Sequence, residues 1–363
     1  MDRLLAYTAL NLSPKIGPIR VRRFLERFGS VEAVFAASLR DLQSVEGINA
    51  ETAGFLRSGE ALSLAEKELT EAHGQGFKVL DQEDDQYPHL LKEIYDPPLV
   101  LYIKGVIPEK WRPGIAMVGS RTISHYGQEM ARKFGYQLAY AGLPVVSGLA
   151  RGIDTAAHQG AIAAKAVTWA VLGCGLDEIY PPENKELAER IIEKGCLISE
   201  FPLGTKPDRQ TFPMRNRIVS GLSFGVLVVE AGLESGALIT ARQALDQGRQ
   251  VFAIPGRIDS PHAKGSNRLI RDGAKLVEEV SDILQELEML FPKGDFSVHE
   301  QIPLDLTSEE KAIFVVLGGD EVPIDAIIGK SGLPSSTVSS TLLRLEMKKL
   351  VRQLPGKCFV RMV

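Results

Sequence analysis

Between residues 113 and 290 the chain alternates short apolar runs with longer amphipathic stretches, a rhythm that few folds accept. Strands of a parallel sheet are buried on both faces and read as continuous apolar runs, and each crossover needs a helix. The spacing predicts seven strands, at Ile115–Val118, Val145–Ser147, Thr168–Leu172, Leu197–Ser199, Val226–Glu230, Val251–Ile254 and Ala274–Val277. Between the first two, Ser124 can cap a helix whose Met130, Phe134 and Leu138 recur every four residues. The expectation is an α/β chain built on a Rossmann-like, doubly wound, mainly parallel sheet.

The flanks read differently. Residues 1–60 form short glycine-punctuated helices: Pro18 stands where a helix can start and Gly29 where one can stop, and Val45–Leu56 repeats the theme around Gly47. This is the pattern of a pair of helix-hairpin-helix units (a SAM-like domain), and equally of a small structural bundle. Residues 61–112 read as an acidic connector, with Asp81–Asp85 as a solvated charge run. Prolines on both sides of Leu99–Ile103 suggest an edge strand leading into the next domain. After the sheet domain, 113–290, residues 291–303 lack periodicity and read as a linker. Helix signals at Thr307–Leu317, Pro323–Gly329 and from Pro334, then a hairpin at Val351–Gln353 and Cys358–Val360, describe a winged-helix domain over 304–363. Such domains bind DNA or protein.

At 363 residues, with 44% hydrophobic and 24% charged side chains, the chain suits two or three globular domains of about 150 residues. No apolar run approaches the ~20 residues that span a bilayer, and the first residues lack the architecture of a signal peptide, so a cytoplasmic protein without membrane contact is expected. Cys174, Cys196 and Cys358 form no C-x-x-C pair and the six histidines no zinc spacing; no metal is expected. The net charge of −4 conceals segregation: residues 60–96 carry ten acids against three bases, residues 202–275 eleven bases against six acids, and residues 330–363 seven bases against one acid.

In an open parallel sheet, ligands bind beyond the carboxyl ends of the strands. The loops expected there are Gly119–Thr122, Ser147–Asp154, Gly173–Gly175 leading to Tyr180–Lys185, Pro213–Arg217, Glu234–Thr240, Pro255–Gly256 and Lys264–Asn267. Glycine admits close backbone approach, N–H groups at helix starts accept an anion, and arginine adds a charge-assisted contact. The predicted ligand is a phosphate. No Walker loop, G-x-G-x-x-G fingerprint or G-x-S-x-G elbow occurs; no cofactor is expected, and His125 and His158 read as helix-start residues packed against the sheet.

Taken together, Val118–Arg121, Ser147–His158, Leu172–Asp177, Tyr180-Pro-x-x-Asn184, Phe212–Ile218, Ser235–Thr240 and Phe252–Gly256 resemble the DNA-processing protein A family of bacteria, also called Smf, over residues 80–290. The resemblance implies a non-enzymatic, homodimeric protein. It would bind single-stranded DNA during natural transformation, protect it and load RecA recombinase onto it. It makes Arg121 the prime DNA contact, with Gly119 and Ser120 shaping its loop. Gly148, Arg151 and Gly152 would line the neighbouring loop, and Asn216, Arg217, Ser235, Gly236 and Thr240 would complete the pocket. Thr122, Asn184, Lys185 and Lys264, from the same loops, join the candidates. Many members carry lysine directly after Tyr-Pro; this chain has Pro182 there, and Lys185 is the nearest lysine. Phe212 is placed either to stack on bases or to fill core. For pairing, Leu245, Ile270 and Leu276 are the apolar candidates, each equally placed for intrachain core. The rival reading is a nucleotide hydrolase resembling the Lonely Guy and lysine-decarboxylase-like proteins, with Glu230 as its carboxylate, although their P-G-G-x-G-T loop is absent. A regulator led by the winged helix ranks third.

Overall fold

The computed structural model describes residues 1–290, 306–317, 321–347 and 350–361, and the chain divides into two compact units, Met1–Phe296 and Ser297–Val363. The linker expected over 291–303 lies outside the described residues.

A nine-stranded sheet organises the first unit: β1 (Lys78–Asp81), β2 (Val100–Gly105), β3 (Gly114–Val118), β4 (Val145–Ser147), β5 (Thr168–Val171), β6 (Cys196–Ser199), β7 (Ser223–Val228), β8 (Gln250–Ala253) and β9 (Lys275–Leu276). They lie in the order β1-β2-β6-β5-β4-β3-β7-β8-β9. From β6 to β9 every pairing is parallel. These seven are the strands expected from the sequence. Successive residues of β3 face opposite sides: Ile115 and Met117 join one core cluster, Ala116 and Val118 another, so both faces must be covered by helices. On one face, helices His125–Tyr140 and Ile153–Ala163 pack closely through glycine. A Cβ on Gly135 would meet the Ala157 oxygen at 2.4 Å, and one on Gly160 the Arg132 oxygen at 2.3 Å. Ser124 caps the first of these helices, accepting from Gly127 N at 3.0 Å, and Phe134 and Leu138 are fully buried.

The acidic stretch is more than a connector. It holds helix Glu60–Gly74 and strands β1 and β2, which extend the sheet through antiparallel pairings. The strand expected at the edge is β2, one place inside it. Pro97 and Pro98 precede it rather than interrupt it, which leaves its N–H groups free to pair on both sides. Nor is the charge run simply solvated: Asp81 is 3% exposed and receives Arg3 Nε at 3.1 Å, while Glu83 accepts from Tyr7 Oη at 2.8 Å. Helix Pro18–Phe28 starts at Pro18 and stops at Gly29 in a left-handed conformation. The N-terminal helices share one apolar core with the sheet, running from Leu10 and Phe24 to Tyr102 and Leu172.

The second unit is a winged helix. Helices Ser308–Val316, Ile324–Ser331 and Ser335–Met347 accompany a three-stranded sheet of β10 (Val322–Pro323), β12 (Cys358–Arg361) and β11 (Val351–Leu354), in that order. Thr307 and Glu310 form a reciprocal capping box at the first helix. Two of the basic residues of 330–363 are engaged within the unit: Arg344 pairs with Glu309 at 3.1 Å, and Arg361 lies 4.0 Å from the centre of the Phe314 ring.

Candidate nucleic-acid interface

β3 has β4 on one side and β7 on the other, so the chain winds outward in opposite directions from it. At such a switch point the loops after the two strands diverge and open a crevice. Here a cleft of about 790 Å³ lies between Gly119–Thr122, after β3, and Gly232–Thr240, after β7, walled by Arg209, Phe212, Pro213, Asn216, His262 and Lys264.

The two loops are fastened to each other before any ligand arrives. Ser120 N donates to Glu230 O at 2.8 Å, and a Cβ on Gly119 would lie 2.3 Å from Ile153 Cγ1 and 2.7 Å from Glu230 O. Only glycine fits there. The turn delivers Arg121 to the surface, its guanidinium carbon 4.7 Å from the centre of the Phe212 ring. Phe212 in turn lies 5.9 Å from the Tyr180 ring. Phe212 is therefore a half-exposed wall of the cleft rather than core. Arg121, Arg209 and Lys264 have no carboxylate within ion-pair distance among the described residues, so three cations face the opening unneutralised.

Beside Arg121 and Phe212 a short, narrow arm of about 10 Å³, room for about one water molecule, lies among Gly148, Arg151, Gly173 and Tyr180. Beneath it lies a group that sequence reasoning passed over, Arg215, which is 4% exposed. Its Nη1 donates to the carbonyls of Gly148 and Val171, tying the ends of β4 and β5. Asp154, equally buried, accepts from Gly148 N at 3.0 Å and Ala150 N at 3.2 Å. Burial pushes its carboxyl above the ordinary range, and the Arg215 charge draws it back; burial likewise lowers Arg215. Two amides expected to receive an anion are thus already consumed by Asp154.

A family model described as DNA recombination-mediator protein A matches residues 78–288. Others match a DprA winged helix domain at 298–357 and a SAM-like helix-hairpin-helix tandem at 10–58. Protein Smf of Escherichia coli (strain K12) is 42% identical over 77% of this chain and 76% of its own length. This chain belongs to the DNA recombination-mediator protein A family. Among its relatives, DNA processing protein DprA of Bacillus subtilis (strain 168) is 46% identical over 59% of this chain and 72% of its own. The X-ray structure of DprA from Streptococcus pneumoniae superposes with a TM-score of 0.67 at 36% identity, covering 79% of this chain and 98% of that one. A second solved structure, DprA of Helicobacter pylori, described for its single-stranded DNA binding mode, gives 0.53 at 28% identity over 59% and 96%.

Within this family frame, Gly119, Ser120, Arg121, Thr122, Asn216, Ser235, Gly236, Thr240 and Lys264 converge on the cleft, and Gly148 and Arg151 on its arm. Gly152 touches neither but shapes both, at φ 82° with its Cβ position 2.3 Å from Ser120 O. Asn184 is buried and structural, donating to Leu149 O and Thr155 Oγ1, both at 2.8 Å; Lys185 is exposed outside the cleft lining. Arg217 is the clearest correction. It turns away from the cleft to pair with Glu200 and, at 3.3 Å, with Asp96, because two positions along a helix rotate a side chain about 200° from its neighbour. Arg215 takes the place beneath the cleft. Arg209 was also missed; its signal was a cation in the loop three residues ahead of Phe212, the nearer of the two in that loop.

The histidines separate. His158 is buried, its Nδ1 2.7 Å from Thr168 Oγ1, and burial drives it down to about 3; His125, contrary to expectation, is exposed beside Glu129. The rival hydrolase loses its carboxylate to architecture: Glu230 is 4% exposed and accepts from Ser124 N at 2.9 Å and Ser124 Oγ at 2.6 Å, anchoring a helix start instead of facing the cleft. Among the described residues no helix is long and apolar enough to cross a membrane.

Proposed function

We propose that the cleft binds the phosphate backbone of single-stranded DNA without regard to sequence, and that the protein shields incoming DNA during transformation and passes it to a RecA recombinase. The observation that carries this is Arg121: exposed, without an anionic partner among the described residues, held at the switch point by a turn only glycine can make, with its guanidinium beside an aromatic ring. Cations that follow a backbone, with rings on which bases can stack, are the components of sequence-tolerant single-strand sites. The single-strand binding described for the Helicobacter pylori relative supports the same reading. A cytoplasmic homodimer is part of it. Leu245 and Leu276 are 61% and 42% exposed, as a pairing surface requires, whereas Ile270 packs partly against the intrachain core.

Fluorescence anisotropy of a labelled oligonucleotide across a salt series tests the cleft, and light scattering the pairing. Wild-type binding should be tight, sequence-tolerant and salt-sensitive. Arg121→Ala should weaken it by about 1 kcal/mol or more and reduce the slope of log K against log salt by about 0.7, one phosphate's worth. If the variant binds like the wild type, the cleft is not the DNA site.

A further inference from the structure

Arg151 differs from the other cations along the cleft in already holding an anion. Its Nη2 donates to Glu183 Oε1 at 2.6 Å and its Nε to the same oxygen at 3.1 Å, so one edge of the guanidinium is engaged as a phosphate oxygen would engage it. This is not a chance meeting of two loose side chains. Glu183 sits in a one-turn 3-10 helix, Pro182–Asn184, whose last residue is buried and pinned to Leu149 O and Thr155 Oγ1. The loop carrying Arg151 is fixed beside it, through Ala150 N on Asp154. Both partners remain reachable, with side chains 50% and 61% exposed. An ion pair so open to water is weak and screened by salt, and another anion can displace it.

We propose that Glu183 is a built-in stand-in for a backbone phosphate: it occupies Arg151 in the DNA-free protein, and DNA gains this cation only by displacing the carboxylate. The inference rests on the cleft being the single-strand site. Arg151 lines the narrow arm that Arg121 and Phe212 also line and is half exposed at its mouth, so a strand seated on Arg121 and passing over that mouth brings its next phosphates to the Arg151–Glu183 pair. As the pair stands, the two charges cancel. Arg121, Arg209 and Lys264 then set the salt dependence, and Glu183 sets how much of the arm is used and keeps binding weak enough for the strand to be handed on.

The test is anisotropy with a labelled oligo-dT on the full chain, comparing wild type with Glu183→Gln, Arg151→Ala, the double variant and Arg121→Ala. Glutamine keeps the size of the side chain and removes the charge. Glu183→Gln should bind about three- to tenfold tighter at low salt, with the slope of log K against log salt steeper by about 0.7, one further phosphate. Arg151→Ala alone should weaken binding, because it leaves the Glu183 carboxylate uncompensated beside the strand, and the double variant should return to about the wild-type affinity. Wild-type affinity and slope in Glu183→Gln, beside a weakened Arg121→Ala, overturns the proposal and leaves the cleft as the DNA site. A gain that persists in the double variant also overturns it, because the effect is then the general loss of a negative charge. Arg121→Ala binding like the wild type removes the cleft reading itself.

Discussion

Replacing Arg215 by methionine isolates what a single buried charge does for the cleft. Methionine fills much of the space of the arginine stem, so the change removes the guanidinium and little else. Gly148 O and Val171 O lose the donor they share, and a buried carbonyl left unpaired costs about 1–3 kcal/mol. Asp154 loses the positive charge that offsets its burial, and a buried charge without its partner costs about 3–5 kcal/mol. These losses have one cause and relax together, since Asp154 can take up a proton, so the expected destabilisation is about 4 kcal/mol rather than their sum. The sign of the pH dependence follows. A carboxyl held above its unfolded value keeps its proton better in the folded state, so the deficit should shrink on going from pH 8 to pH 5. Adding Asp154→Asn should recover about 1–2 kcal/mol by removing the orphaned charge. Urea unfolding followed by tryptophan emission reads this directly. The chain's two tryptophans, Trp111 and Trp169, lie in the first unit with ring centres 4.7 Å apart, so the signal reports that unit alone. A loss below about 1 kcal/mol, or strict additivity of the two substitutions, would refute the argument that Arg215 and Asp154 jointly hold the Gly148–Ala150 loop.

Gly152→Ala should destabilise the first unit by about 2 kcal/mol or more, since φ is 82° and the new Cβ would lie 2.3 Å from Ser120 O and 2.7 Å from Arg121 O. It should also weaken oligonucleotide binding about as much as Arg121→Ala does; an alanine variant as stable and as tightly binding as the wild type would show that the loop relaxes freely. His158, driven down to about 3 by burial, binds its proton better when unfolded. Stability should therefore fall as the pH drops through the unfolded value of about 6.5, by about 1 kcal/mol between pH 7 and 5.5. Urea midpoints at the two pH values should show this drop in the wild type and a smaller one in His158→Asn; equal drops would assign the pH dependence to other groups.

Six of the seven parallel strands were legible because each is a mostly apolar run buried on both faces, a pattern local to a few residues; the seventh, β9, is a partly exposed pair at the sheet edge, found from the short apolar stretch around it. The helix caps at Ser124, Pro18 and Gly29 were legible for the same reason: each acts on its own first or last turn. Strand β1 was not. Lys78–Asp81 is four residues beside an acidic run, and what makes it a strand is Val100–Ile103, some twenty residues on. The loops that form the cleft could be found from their glycines and cations, because strand ends in such a sheet all point to one edge. Which cation does what depended on contacts between elements far apart in sequence. Arg215 and Arg217 stand two residues apart with the same charge, yet helix rotation sends one under Gly148 and the other to Glu200. Likewise Glu230, free to be a catalytic carboxylate on sequence grounds, caps a helix that begins 106 residues earlier. Sequence alone determined the architecture and the edge at which an anion can bind, since these follow from local periodicity and strand polarity. Only the tertiary structure decided which amides and charges stay available at that edge, because availability is set by partners that folding brings together.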